Sequence, residues 1–379
     1  MKKKIIISSL VVIFLAVSGL AYYFFIMPKT DIPPKTQVSR EDKSDKPFAR
    51  QILIEGLEHP WDVAVDNDGE VYFTERSNGI FTLSEGKKEL LLKPTDLVAT
   101  GEGGMLGLTL DSDFSDNRYM YACFNTSKDV RLVRFMFDNG RLTNRKDLVT
   151  GIPRNESGRH SGCRPRSDTD GNIWLGTGDA ANNTNPQNPN SLGGKVLRVD
   201  RSGNGVEGNL LDPFDYRIFS YGHRNVQGIA LFDSPRNGNY GYSIEHGSSR
   251  DDEVNQLVGG NFGWDPGSGY NESVPMTDLE KFPEAVESVW NSGSPTIAPS
   301  GGTMIYGREW GKLAGKLAMA VQKGEHVRIL SFDDKDKLID ESTLIDDVGR
   351  VRTVYQAPDG SLYITTDNGG DDKIIKLSK

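Results

Sequence analysis

One template recurs along this chain and restricts what it can fold into: a short apolar strand, an Asp-Gly turn, and a second strand carrying an aromatic residue. Its clearest copies run Val63-Ala64-Val65-Asp66-Asn67-Asp68-Gly69-Glu70-Val71-Tyr72-Phe73-Thr74, Ser167-Asp168-Thr169-Asp170-Gly171-Asn172-Ile173-Trp174-Leu175-Gly176-Thr177 and Val354-Tyr355-Gln356-Ala357-Pro358-Asp359-Gly360-Ser361-Leu362-Tyr363-Ile364-Thr365. An Asp-Gly pair tolerates the backbone conformation of a tight hairpin, so each copy predicts two antiparallel strands. The turns of successive copies lie 102 and 189 positions apart, roughly two and four units of about 50 residues, near the length of a propeller blade. Weaker copies at Leu108–Phe124, Ile229–Ile244 and Met304–Val321 fill the intervals. The 42 glycines and 18 prolines suit many tight turns. No blade can bury its apolar face alone, so the blades must stack into a ring. The expected fold is an all-β six-bladed β-propeller over residues 51–379, preceded by one N-terminal transmembrane helix.

That helix is expected because Lys2-Lys3-Lys4 precedes an apolar run from Ile5 to Met27, long enough to cross a bilayer, with the basic end on the cytoplasmic side. The reading is an anchor over residues 1–27, single-pass in the cell membrane with the propeller extracytoplasmic; a cleaved signal peptide is the alternative. Residues 28–50, rich in Pro, Lys, Asp and Thr, read as a flexible linker. A net charge of −9 without a basic cluster in the body excludes a nucleic-acid partner held through its phosphates. Cys123 and Cys163 are the only cysteines, and an exported domain allows either a bridge between them or two buried thiols.

Several clusters carry more chemistry than strands require. His160 and Asp179 flank the hairpin around Asp170-Gly171, so they can meet; a carboxylate on one imidazole nitrogen leaves the other free to accept a proton. Gly101-Glu102-Gly103-Gly104 holds a carboxylate in a flexible loop, and Gly222-His223-Arg224-Asn225 sets a cation and an amide beside a glycine. The stretch from Glu245 to Glu253 concentrates acids and loop carbonyls, as an oxygen-ligated Ca²⁺ requires. Arg350 and Arg352 alternate along a strand and so point the same way, a fork pair suited to carboxylates. In a propeller, loops distant in sequence converge at one mouth, which makes a shared anionic-ligand site the expectation.

With these residues in view, the chain from about Glu55 to Leu377 resembles the soluble-type PQQ-dependent aldose sugar (glucose/sorbosone) dehydrogenase family, as a divergent branch. The resemblance is carried by Glu58-His59-Pro60-Trp61, Gly103-Gly104-Met105-Leu106-Gly107, the His160 stretch, Gly194-Lys195-Val196-Leu197-Arg198-Val199-Asp200, Gly222-His223-Arg224-Asn225-Val226-Gln227-Gly228, Asn261-Phe262-Gly263-Trp264, Ala298-Pro299-Ser300-Gly301 and Gly349-Arg350-Val351-Arg352. It implies a quinoprotein that oxidises aldoses at C1 to the lactone by hydride transfer to PQQ and passes electrons to a separate acceptor. His160 would be the general base, Asp179 would orient it, and Arg224 and Asn225 would contact the quinone. Arg350 and Arg352 would hold PQQ carboxylates. Carbonyls of Gly247 and Ser248 would bind a catalytic Ca²⁺, with Glu253 and the Phe262 carbonyl on a second, structural one.

Departures from the family pattern are part of the expectation. Glu102 stands where the family usually has Gln touching PQQ. Gln322 replaces a cofactor-contacting Lys, with Lys323 beside it as a substitute cation. Ser161, Cys163 and Pro165-Arg166-Ser167 replace the commoner residues after the base. Two other functions fit the same architecture: a non-catalytic propeller binding glycan or protein, and a Ca²⁺-dependent lactonase-like hydrolase in which the metal activates water.

Overall fold

The computed structural model describes residues 48–379. The anchor expected at residues 1–27 and nearly all of the linker expected at 28–50 lie outside the described residues, among which no helix is long and apolar enough to cross a membrane. The first strand starts at Ala49 rather than Gln51.

Among the described residues six sheets, antiparallel but for the short parallel pair Ile218–Tyr221 with Gly260–Asn261, form a six-bladed propeller. The first strands of the blades are Pro60–Val65, Met105–Leu110, Arg164–Ser167, Val226–Arg236, Pro299–Met304 and Val351–Gln356. Each lies against the first strand of the next blade, and the last lies against the first, so these strands line the axis and the ring closes. The second strands are Val71–Glu75, Tyr119–Asn125, Ile173–Gly176, Asn239–Glu245, Leu317–Val321 and Leu362–Thr366. The N-terminal strand Ala49–Leu57 pairs with the C-terminal strand Asp372–Ser378 and completes the last blade. Closure thus joins the two ends of the domain and leaves that strand no free edge to solvent on its inner side.

All six template copies fall on first and second strands. Their alternating pattern predicts one buried face, yet Pro60–Val65 and Val71–Glu75 are buried at every position. The reason is stacking: a blade close to the axis has a neighbour on both faces, whereas the outer strand Lys87–Leu92 is mostly exposed. The axis itself is polar. Asp62, fully buried, accepts Arg166 Nη1 at 2.9 Å and lies 2.6 Å from Arg164 Nη1. Arg164 also donates to the Gln227 carbonyl at 2.7 Å and to Thr353 Oγ1 at 2.7 Å, so one side chain ties three other blades to its own. Cys123 and Cys163 form a disulfide, resolving the open alternative in favour of a bridge that fixes the segment entering the third blade.

Candidate active site

Hairpin geometry decides where the site lies. The residues just before a first strand and just after a second strand share one end of the propeller, and the Asp-Gly turns occupy the other. Before the first strands stand His59, Glu102, His160, Arg224 with Asn225, Ala298 and Arg350; at the end of the second strands or just after them stand Arg76, Asn125, Asp179, His246, Gln322 and Asp367. Most of them surround a cavity of about 570 Å³ that is floored in part by Trp61 and walled by Arg76, Glu102, Gln322, Arg350, Arg352 and Asp367. His160, Asp179, Arg224 and Asn225 adjoin it behind Glu102 and His246. The expected convergence of distant motifs on one mouth is therefore present. Lys323 is exposed and does not line the cavity; it follows Gln322 directly, so when one side chain faces inward its neighbour does not.

His160 Nδ1 is 2.8 Å from Asp179 Oδ1. Asp179 is fully buried and also accepts Ala181 N–H at 2.8 Å, Trp264 Nε1–H at 2.9 Å and the Tyr270 hydroxyl at 2.7 Å. An ionised carboxylate has only acceptors to offer, so Nδ1 carries the ring hydrogen and Nε2 is the basic nitrogen. Burial and the Asp179 charge push the Tyr270 phenol up, keeping it a donor. The base loop is held in a left-handed conformation, φ +52° at His160. The disulfide and the bond from His160 N–H to Glu102 Oε2 at 3.1 Å help to fix it there. Such backbone strain costs of order 1–3 kcal/mol and persists where its surroundings enforce it.

Arg224 N–H donates to Glu245 Oε2 at 2.9 Å, and its guanidinium donates to Glu272 Oε1 at 2.6 Å and the His246 carbonyl at 3.2 Å. Its Nε is buried with no partner among the described residues. Burial would raise the Glu272 carboxyl, but the bond and charge of Arg224 outweigh it and hold it below the usual range. Asn225 Oδ1 accepts Gly162 N–H at 3.2 Å, and its Nδ2 is 3.5 Å from Glu102. Arg350 donates to Gln322 Oε1 at 3.1 Å and to the Asp367 carbonyl at 3.0 Å, while Arg352 is paired with the Asp367 carboxylate.

The loop from Gly247 is stapled by Asp252, which accepts Gly247 N–H at 2.9 Å, Ile297 N–H at 2.6 Å and Ala298 N–H at 2.9 Å. The carbonyls of Gly247, Ser248 and Phe262 accept no hydrogen bond among the described residues. Glu253 is buried, and burial together with the Glu245 charge raises its carboxyl well above the usual range. Free carbonyl oxygens and a buried carboxyl next to a second acid are the donor types that a hard cation takes. His59, Asp367 and Asp372 also bring ligand atoms within 4.8 Å of one another. There the acids are already committed, Asp367 to Arg352 and Asp372 to four donors including Thr366 Oγ1 at 2.9 Å and Gly369 N–H at 3.1 Å.

Arg76, Asp367, Tyr270 and Glu272 were not anticipated. Extending each template copy beyond its second strand finds the first two, since Arg76 and Asp367 hold the place in their blades that Asp179 holds in its own. Tyr270 and Glu272 sit in an irregular loop with no local signal.

Comparison with known proteins matches residues 57–376 to the family described as Glucose / Sorbosone dehydrogenase. The Escherichia coli aldose sugar dehydrogenase YliI is 28% identical over 353 residues, covering 86% of this chain and 92% of its own. An uncharacterized protein of Synechocystis sp. is 29% identical over 349 residues, 83% of each chain. The solved PQQ-bound aldose sugar dehydrogenase from Streptomyces coelicolor superposes with a TM-score of 0.73 at 28% identity, over 87% of this chain and 98% of its own.

Proposed function

The chain belongs to the glucose/sorbosone dehydrogenase family, and from that premise we propose that it is a PQQ-dependent oxidoreductase acting on the C1 hydroxyl of aldose sugars with His160 as general base. The observation that carries the reading is the His160–Asp179 contact of 2.8 Å on a carboxylate whose other acceptor positions are taken. His160 Nε2 takes the hydroxyl proton, and Asp179 steadies the imidazolium that results. When bound, PQQ supplies the two-electron acceptor for the C1 hydride, and Ca²⁺ a Lewis acid. The residues fit both groups. Arginines line a cavity of about 570 Å³, and among the described residues the buried Arg224 Nε lacks a partner and the Gly247 and Ser248 carbonyls are uncommitted.

Arg224 presents its guanidinium where negative charge develops, with Asn225 beside it. Arg350 and Arg352 would hold carboxylates of PQQ, and Glu253 with the Phe262 carbonyl would hold the structural cation. The lactone would leave, and a separate acceptor would take the electrons. The basic and apolar run of residues 1–27 supports an anchor that places the propeller, residues 51–379, outside the cell. A second, non-catalytic reading as a sugar-binding propeller is favoured by Glu102 and Gln322, which line the cavity and lower its positive charge.

The test is reconstitution with Ca²⁺ and PQQ followed by glucose-driven dye reduction. Wild type should turn over, and His160→Ala should lose about 10²–10⁴ in kcat, the usual worth of a positioned base, with PQQ binding retained. Absence of PQQ binding at micromolar concentration ends the dehydrogenase reading. Glycan binding without turnover establishes the second one.

A further inference from the structure

We infer that Arg76 is a third cofactor-holding arginine, pairing with a carboxylate of the bound quinone alongside Arg350 and Arg352; the inference rests on the proposed PQQ site. Arg76 directly follows the second strand of its blade, Val71–Glu75. Its backbone is tied on both sides, N–H to the His59 carbonyl at 3.2 Å and carbonyl to Met105 N–H at 2.8 Å. Gly104, at φ +154°, makes room for it: a Cβ there would lie 2.3 Å from the Arg76 carbonyl oxygen and 2.8 Å from its Cγ. The stem of the side chain is therefore seated, and its head faces the cavity.

What distinguishes Arg76 is what its guanidinium lacks. Arg350 is held by Gln322 and the Asp367 carbonyl, and Arg352 by the Asp367 carboxylate. Arg76 has no hydrogen-bond or ion-pair partner among the described residues, although it is half-buried. Half-burial of an unpaired cation is unfavourable, and it draws the guanidinium down from its ordinary value. The cavity wall carries four guanidiniums, Arg76, Arg159, Arg350 and Arg352, against two carboxylates, Glu102 and Asp367, a surplus of two positive charges. A tricarboxylate is the chemistry that uses such a surplus, and a planar five-donor fork suits a carboxylate better than a point charge does. Arg159 is already paired with Glu272 at 3.2 Å, and Gln322, facing the same cavity, brings no charge, so Arg76 is the remaining cation free to act.

The experiment is a PQQ titration in Ca²⁺, followed by calorimetry or absorbance, on wild type, Arg76→Gln, Glu102→Gln and the double variant. Thermal melts of the cofactor-free proteins run alongside. Arg76→Gln is expected to weaken PQQ about 10- to 100-fold, the worth of hydrogen bonds to a charged group, with an unchanged melt without cofactor. Unchanged affinity overturns the inference. So does a loss that disappears in the Glu102→Gln background, because Arg76 would then only neutralise that carboxylate. Should Arg76→Gln not fold, Arg76→Lys keeps the charge without the fork and is expected to bind about 3- to 10-fold more weakly; wild-type affinity in it overturns the inference equally. A wild type that binds no PQQ instead brings down the site reading itself, a separate result.

Discussion

Two arginine clusters occupy the middle of this ring, and Trp61 touches both: Arg164 Cζ lies 4.0 Å from a Trp61 ring centroid and Arg352 Cζ 5.6 Å. On the axis, Arg164 and Arg166 converge on Asp62, and the remaining donors of Arg164 reach Gln227, Thr353 and Ser300. At the mouth, Arg76, Arg350 and Arg352 share a cavity, and only Arg352 is paired with a carboxylate, that of Asp367. The same side chain thus serves opposite ends. Where every donor has an acceptor within the chain, arginine joins blades; where donors outnumber acceptors, arginine awaits a ligand. Hydrogen-bond accounting separates the two roles where residue type cannot.

The largest expected effect breaks the axial cluster. Asp62→Asn leaves two buried guanidiniums without their counter-charge and should cost about 3–5 kcal/mol in urea denaturation, while the folded fraction keeps its PQQ affinity. The pH dependence follows. Burial drives the Asp62 carboxyl up, but Arg164 and Arg166 outweigh it and hold its pKa below the ordinary 3.8. A depressed folded pKa means the unfolded chain binds the proton more readily. Asp62's contribution is therefore complete above about pH 4 and is lost as pH falls through the folded value. Wild type should lose stability steeply in that acid window, and Asp62→Asn less so. Equal slopes would show that the pair is not what holds the axis together.

The mouth should respond the other way. Arg350→Gln removes a guanidinium whose protein partners are a neutral amide and a carbonyl, so the melt without cofactor should move little. PQQ affinity should fall about 10-fold or more, since a charge-assisted bond is worth about 1.5–3 kcal/mol. A variant that lost stability instead of affinity would erase the distinction between the clusters.

How much of this was readable beforehand depends on the distance over which each feature is decided. Asp-Gly turns are local, so the blades were visible, and the hairpin between His160 and Asp179 made their meeting a matter of counting. Arg350 and Arg352 were visible through strand alternation. The axial cluster was not: Arg166 reads as an oddity after the base until ring closure brings Asp62 from the first blade to it. Tyr270 and Glu272 depend on how an irregular loop settles over His160 and Arg224, a tertiary outcome without local chemistry. The expectation that Lys323 would replace the charge absent at Gln322 failed to foresee Arg76, which reaches the same cavity from a different blade.

The smallest effect tests the sign of the surplus at the mouth. Glu102 Oε2 accepts His160 N–H at 3.1 Å and lies 3.5 Å from Asn225 Nδ2, and a glutamine oxygen can keep both contacts while removing the charge. If the cavity is organised around an anion, Glu102→Gln should tighten PQQ by a few-fold, about 0.5–1 kcal/mol, as expected for one partly solvated charge in the wall. The gain should shrink as ionic strength rises, because salt screens a repulsion acting through a water-filled opening. Weaker binding in Glu102→Gln at every salt concentration would give that carboxylate the opposite part, a strut for the base loop whose charge strengthens its bond to His160 N–H, and would move it from the ligand's side of the comparison to the scaffold's.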